Sequence, residues 1–260
     1  MRWIRLVLLA VPPTLAAAAL HAQSLTIDAS TVGAPGSGAR AELYMPAVAA
    51  GAVVELHGCN GISPHYRIWA ARLAQWGYAT LLVDSFRPRG YADGVCNHGR
   101  DVPADLRARD AFAAAAYLHS RPDLRNAPIG LVGFSHGGWA VLKAVLANAR
   151  PAGEPPFAAA VAFYPGCEPP GSALETDTLI LIGDADSWTP LARCQRWRDQ
   201  VQTDGHTLQM TVYPGALHAF DTESGPHYFA GHYIGRDPAA AADAEARTRA
   251  FLAARLIPQR

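Results

Sequence analysis

Ile129-Gly130-Leu131-Val132 followed by Gly133-Phe134-Ser135-His136-Gly137-Gly138 and then Trp139-Ala140-Val141-Leu142 is the stretch on which the fold turns. It opens as a short apolar run, passes through a glycine-flanked serine, and resumes with apolar residues at helical spacing. A G-x-S-x-G string between a strand and a helix marks a sharp turn. Its glycines relieve crowding, and its serine hydroxyl projects above the sheet. The string alone is short enough to arise by chance and could be a glycine-rich packing turn, so its flanks carry the reading.

Outward from this turn, the same alternation repeats. Short apolar runs predict strands at 53–56, 79–83, 129–132, 159–163, 179–182 and 209–212, with two edge strands at 25–27 and 41–44. Segments of helical period fall at 66–76, 102–119, 137–148, 191–203 and 239–256. Strands that are apolar on both faces and separated by helix-length segments predict an α/β fold. The sheet is mostly parallel and doubly wound, with helices on both faces. Pro64 and Pro103 near helix starts, and Gly77 and Gly153 near helix ends, agree with that punctuation. A glycine- and serine-rich turn is expected at 33–38. The proline-rich 151–156 stretch could be a linker, but the alternation resumes directly after it, so residues 23–260 read as one domain.

Half of the 260 residues are hydrophobic, enough for a full core, and Lys+Arg equals Asp+Glu at 22 each. The balance gives no electrostatic footprint for nucleic acid. Arg2 and Arg5 precede an apolar stretch over 6–20 and then small residues, the pattern of an export leader cleaved after Ala22. The apolar stretch is shorter than a membrane span, and Pro12 and Pro13 interrupt it. No stable membrane anchor is therefore expected after cleavage, and the mature protein is expected in the periplasm or outside the cell. In such compartments Cys59, Cys96, Cys167 and Cys194 can pair.

A serine nucleophile needs a base, and the base needs an orienting carboxylate. In strand-turn-helix serine sites these follow the serine in the order acid, then histidine, on loops after later strands. The 179–182 strand runs into Gly183-Asp184-Ala185-Asp186, and the 209–212 strand runs into Tyr213-Pro214-Gly215-Ala216-Leu217-His218. Ser135, His218 and either Asp184 or Asp186 are therefore the candidate catalytic residues. His206 precedes the last strand and falls at the wrong end. His227 and His232 could suggest a metal pair, but no acid or thiol partner has suitable spacing. No metal and no cofactor are expected. One oxyanion donor is expected from the N–H of His136, the residue after the serine. The other should come from the turn His57-Gly58-Cys59-Asn60-Gly61, where His57 itself reads as a packing residue.

These motifs and their order resemble the dienelactone hydrolase family within the α/β-hydrolases, over most of the chain after Ala41. Gly133 to Gly138 is similar to that family's nucleophile turn. Asp186-Ser187-Trp188-Thr189-Pro190 is similar to its acid loop, and His218-Ala219-Phe220 to its histidine segment. The resemblance selects Asp186 over Asp184, because Pro190 sets the register. It implies that the N–H of Cys59 is the second oxyanion donor. It also implies that Asp84-Ser85-Phe86-Arg87-Pro88-Arg89-Gly90 lines the substrate pocket, where Arg87 or Arg89 could hold an acidic group; a loop arginine paired to a surface carboxylate is the alternative. The family's namesake uses a cysteine where this chain has Ser135, with a glutamate that would align near Gly58. Its thiol chemistry does not carry over.

The resemblance implies a serine hydrolase that cleaves a small-molecule carboxylic ester or lactone through an acyl-enzyme. A peptidase, an acyltransferase or a non-catalytic binding protein on the same scaffold are the alternatives. All four cysteines fall after strand exits at the edge that carries the candidate triad. Consecutive exits predict Cys59–Cys96 and Cys167–Cys194 disulfides, with four buried free thiols as the alternative.

Overall fold

Runs such as Ala52-Val53-Val54 and Leu179-Ile180-Leu181-Ile182 are too apolar to face water on either side. In the computed structural model they become the middle of an eight-stranded sheet. The structure describes residues 22–27 and 39–257. In chain order the elements are β1 (Ala22–Ile27), β2 (Ala39–Tyr44), β3 (Gly51–Leu56), α1 (Pro64–Gln75), β4 (Tyr78–Asp84) and α2 (Ala104–Ser120). There follow β5 (Ile129–Phe134), α3 (His136–Ala144), β6 (Ala159–Phe163), β7 (Thr178–Gly183), α4 (Leu191–Gln200) and β8 (Leu208–Tyr213). A hairpin of β9 (His227–Phe229) and β10 (His232–Ile234) and the long α5 (Pro238–Leu256) complete the chain.

The strand order is β1-β2-β4-β3-β5-β6-β7-β8. β1 and β2 run antiparallel at one edge, and β4 through β8 are parallel. Every strand from β3 to β7 is buried along its whole length. Alternate residues feed two cores. Ala52, Val54 and Leu56 of β3 join α2, α3 and α4 on one face. Val53 joins Trp69 and Leu73 of α1 and Phe251 and Leu252 of α5 on the other. The sheet is thus doubly wound, and its parallel strands bring every C-terminal end to one edge.

Pro64 occupies the first turn of α1, as its missing N–H favours. The helix expected to reach residue 148 stops at Ala144, because Leu146 leaves it to pair with Leu174 as an isolated antiparallel bridge. Gly153 consequently turns a later loop, with φ +89°, and closes no helix. The expected leader and the expected turn at 33–38 lie outside the described residues, apart from Ala22, which begins β1. Among the described residues no helix is long and apolar enough to cross a membrane.

Among the described residues one buried acid has no partner. Glu55 of β3 is fully buried, and neither carboxylate oxygen has a hydrogen-bond partner. Burial pushes its pKa well above the usual carboxylate range, and the charges of Glu42 and Asp221 push the same way. Folding therefore keeps Glu55 protonated, while the unfolded chain ionises it above about pH 4.3. That contribution to stability is present below the unfolded pKa and is lost as pH rises toward the folded one. Glu55→Gln should accordingly raise Tm relative to the wild type at pH 8 and leave it little changed at pH 4. Each kcal/mol regained corresponds to about 2–4 °C. Thermal unfolding at the two pH values checks this, and an equal shift at both would contradict it.

Candidate active site

The turn after β5 is built by close backbone approach. A side chain at Gly137 would run into the carbonyl oxygen of Leu56 at the end of β3, and one at Gly133 into the Gly137 backbone. With hydrogen there, α3 starts directly against the sheet, and Ser135 is forced to φ +52°, ψ −113°. A non-glycine residue in such a conformation costs about 1–3 kcal/mol and persists only where its surroundings hold it. They do: Ser135 N–H donates to Phe163 O at 2.9 Å, and Ser135 O accepts from Trp139 N–H at 2.8 Å.

His218 and Asp186 converge on this serine from the loops after β8 and β7. Ser135 Oγ lies 2.9 Å from His218 Nε2, and His218 Nδ1 lies 2.7 Å from Asp186 Oδ2. A carboxylate oxygen only accepts, so Nδ1 carries the proton and Nε2 is left to accept from the serine hydroxyl. The Asp186 carboxylate also accepts from the N–H groups of Trp188 and Thr189 (2.8 and 2.9 Å) and from the Thr189 hydroxyl (2.7 Å). Burial alone would raise its pKa, but the His218 and Thr189 hydrogen bonds and the histidine's charge outweigh that and hold it below the usual value. Asp184 is used differently. It is exposed, and its Oδ1 accepts from Gly215 N–H at 2.6 Å, tying two loops together.

The imidazole is clamped between Tyr164 and Trp188, with ring centroids at 4.7 and 5.0 Å. Tyr164 is in turn fixed by its hydroxyl, which donates to the buried Asp221 at 2.7 Å; Trp69 Nε1–H donates to the same carboxylate at 2.8 Å. His218's main chain is held as well. It bridges Ile234 of β10, and its carbonyl accepts from Gly235 N–H at 3.1 Å.

Cys59 lines the same small cavity as Ser135 and His218, and His136 follows Ser135 directly in the chain. His136 is the first residue of α3, so its N–H has no acceptor within the helix. Among the described residues the Cys59 N–H donates to no backbone carbonyl. The two segments are stitched together by Arg107 of α2, a fully buried arginine. Its guanidinium donates to His57 O at 2.7 Å and to His136 Nδ1 at 3.0 Å, with Phe86 across its face at 4.8 Å. Burial lowers its pKa to about 10, against the pull of Asp110. His136 donates from Nε2 to Gly99 O at 2.8 Å; burial, then the Arg107 charge, takes its pKa down to about 4 and keeps the ring neutral. His57 is buried against Phe86 at 4.7 Å, and its Nδ1–H donates to Gly58 O at 2.7 Å.

The two candidate pocket arginines are elsewhere. Arg89 forks onto Asp110 at 2.8 and 2.7 Å and donates to Ser85 O. Asp110 is wholly buried and needs that partner. Arg87 faces a separate cavity beside Arg40 and Glu42 at the sheet edge. Neither lines the small cavity of about 80 Å³ in front of Ser135, which is bounded by Cys59, Tyr66, Tyr164, Trp188, Phe229 and Ile234. His227 Nδ1–H donates to Gly225 O, and His232 stacks on Trp188 at 4.7 Å.

Arg107 and the hairpin escaped the motif reading, yet each left a trace. Arg107 interrupts the apolar stripe Ala104, Ala108, Ala111, an unusual place for an unpaired charge. The hairpin's Ala230-Gly231 turn, with φ +47° and +83°, lies between His-Tyr-Phe and His-Tyr-Ile.

A strained serine turn after β5, an acid after β7 and a histidine after β8, on this strand order, define an α/β-hydrolase fold. The chain belongs to the dienelactone hydrolase family, whose sequence model matches residues 39–256. It is therefore of a hydrolase family. A provisionally named carboxymethylenebutenolidase of Methylorubrum extorquens is 27% identical over 187 residues, covering 65% of this chain and 62% of that protein. The chain thus spans less than two thirds of that relative. A Bradyrhizobium protein named as a probable 2-oxo-3-(5-oxofuran-2-ylidene)propanoate lactonase is 25% identical over 220 residues, 76% of this chain and 85% of its own. Among solved structures, a dienelactone hydrolase-like promiscuous phosphotriesterase from metagenomic libraries shares the fold. Its TM-score is 0.72 at 19% identity, covering 92% of this chain and 99% of that one.

The four cysteines form two disulfides, Cys59–Cys96 and Cys167–Cys194, with Cα separations of 4.7 and 5.0 Å. Both are consistent with an exported protein. The first ties the Cys59 turn to the loop after β4. Replacing both members of either pair by serine should lower unfolding free energy by about 2–4 kcal/mol. Urea unfolding of the oxidised proteins measures it, and unchanged midpoints would show that the bridges do not stabilise the fold.

Proposed function

We propose that the protein is a serine hydrolase that cleaves a carboxylic ester or lactone through an acyl-enzyme. The observation that carries this reading is the unbroken hydrogen-bond chain from Asp186 through His218 to Ser135, ending on a serine in a strained turn. Ser135 Oγ attacks the carbonyl carbon as its proton passes to His218 Nε2. The carbonyl oxygen becomes negative and is received by the N–H groups of Cys59 and His136, donors that need no rearrangement as charge develops. His218 then protonates the leaving alkoxide. A water, deprotonated by the same imidazole, attacks the acyl carbon and restores Ser135 Oγ–H.

Asp186 is held ionised by its hydrogen bonds, so it keeps the histidine in the required tautomer and stabilises the imidazolium. Of the two relatives named above, one is a lactonase by name and the other a butenolidase, a butenolide being a lactone, which favours ester or lactone hydrolysis over peptide cleavage or acyl transfer with the same residues. Residues 23–260 form the single catalytic domain. Residues 1–22 are a cleaved export leader, and the mature protein works in the periplasm or outside the cell.

Ser135→Ala and His218→Ala should each lower ester hydrolysis about 10⁴-fold or more, since triad members act as a unit. Asp186→Asn should be comparably severe and Asp184→Asn mild. Fluorophosphonate labelling should modify Ser135. Greater damage from Asp184→Asn, or no labelling of Ser135, would refute the assignment. Intact-mass analysis of protein exported by a bacterial host should place the mature N-terminus near Gln23; full-length protein retained in the membrane would refute the leader.

A further inference from the structure

The cavity in front of Ser135, about 80 Å³, has room for little more than the ester group. Beside it is a second cavity of about 360 Å³, lined by residues of the first turns of α1 and of the β9–β10 hairpin. The two share Asn60, Tyr66, Thr222, Phe229 and Ile234, so they adjoin, and together we read them as one groove with Ser135 at its inner end. Its size lies within the range of about 300–1,000 Å³ typical of small-molecule sites. Pro64 and Ile68 form the outer wall, and Ile68 and Phe229 leave large apolar side chains 44% and 40% exposed at the rim.

No lysine or arginine lines either part of the groove among the described residues. The segment 28–38 contains none in its sequence. The lining's one carboxylate, Glu223, is paired with Arg236 at 2.7 Å, and the same guanidinium donates to Thr222 O at 3.2 Å. His65 faces the buried Asp221 at 3.3 Å, and His227 Nδ1–H is committed to Gly225 O. Arg89 is consumed by Asp110. A carboxylate placed here would lose water and find no guanidinium to replace it, which strongly disfavours the ion. The names of both relatives specify substrates bearing a carboxyl group.

We infer that this groove is the subsite for an uncharged, apolar arm of the substrate, and that the enzyme selects neutral esters over carboxylate-bearing esters and lactones. The inference rests on Ser135 hydrolysing esters, as proposed above. It is tested with two matched pairs, corrected for uncatalysed hydrolysis. The acyl pair is p-nitrophenyl hexanoate and mono-p-nitrophenyl adipate; the alcohol pair is 4-methylphenyl acetate and 4-acetoxybenzoate. In at least the pair whose varied arm enters the groove, the neutral member should have a kcat/KM at least tenfold higher. Ile68→Arg, at an exposed rim position, should reduce that ratio tenfold or more by favouring the carboxylated member. Ser224→Arg on the facing loop repeats the test should the first variant fold poorly. Equal or greater kcat/KM for the carboxylated member in both pairs, or an unchanged ratio in the folded arginine variant, overturns the inference. Absence of Ser135-dependent turnover of all the esters overturns the hydrolase reading itself.

Discussion

How closely the start of α3 can approach the end of β3 determines the rest of the site. The absent Cβ of Gly137 lets the helix begin against the Leu56 and His57 carbonyls. That contact throws Ser135 into its left-handed conformation and brings His136 beside the turn containing Cys59. A strained residue costing about 1–3 kcal/mol is a large local debt in a fold whose net stability is of order 5–15 kcal/mol. The surrounding hydrogen bonds to Phe163 and Trp139 show why it holds. Arg107 completes the arrangement, because one guanidinium fastens the carbonyl of His57 and the ring of His136 at once.

Around this contact the molecule handles buried polar groups in two ways. Two carboxylates on the active-site edge are saturated. Asp186 accepts from four donors, and Asp221 accepts from Tyr164 and Trp69 while His65 approaches it. Such saturation keeps side chains in one arrangement and supports Tyr164, whose ring steadies the histidine. Inside the sheet the opposite occurs: Glu55 has no partner and is held neutral by its surroundings. Nothing in the described site calls on it.

The sheet was largely legible in sequence because its strands are apolar on both faces and each is followed by a connection of helical length. The serine turn was legible because glycine is needed on both sides of it. The choice between Asp184 and Asp186 was not open to spacing alone and required the family-like register of Pro190; in three dimensions Asp184 ties down Gly215. The segment of Arg87 and Arg89 leaves a strand at the site edge, which drew both arginines toward the pocket, while the partner that holds Arg89, Asp110, is on a helix 21 residues away in sequence. The β9–β10 hairpin was missed because three residues per strand give no period to read. The early end of α3 depends on a pairing with Leu174, a long-range contact invisible to helix propensity.

That hairpin has a mechanical consequence. Phe229 forms a wall of the groove, His232 stacks on Trp188 of the acid loop, and Ile234 pairs with the main chain of His218. The hairpin cannot shift as a body to admit a larger group without pulling on the loops that aim both the imidazole and its carboxylate. Widening the groove and moving the loops that hold His218 against Asp186 are thus the same displacement.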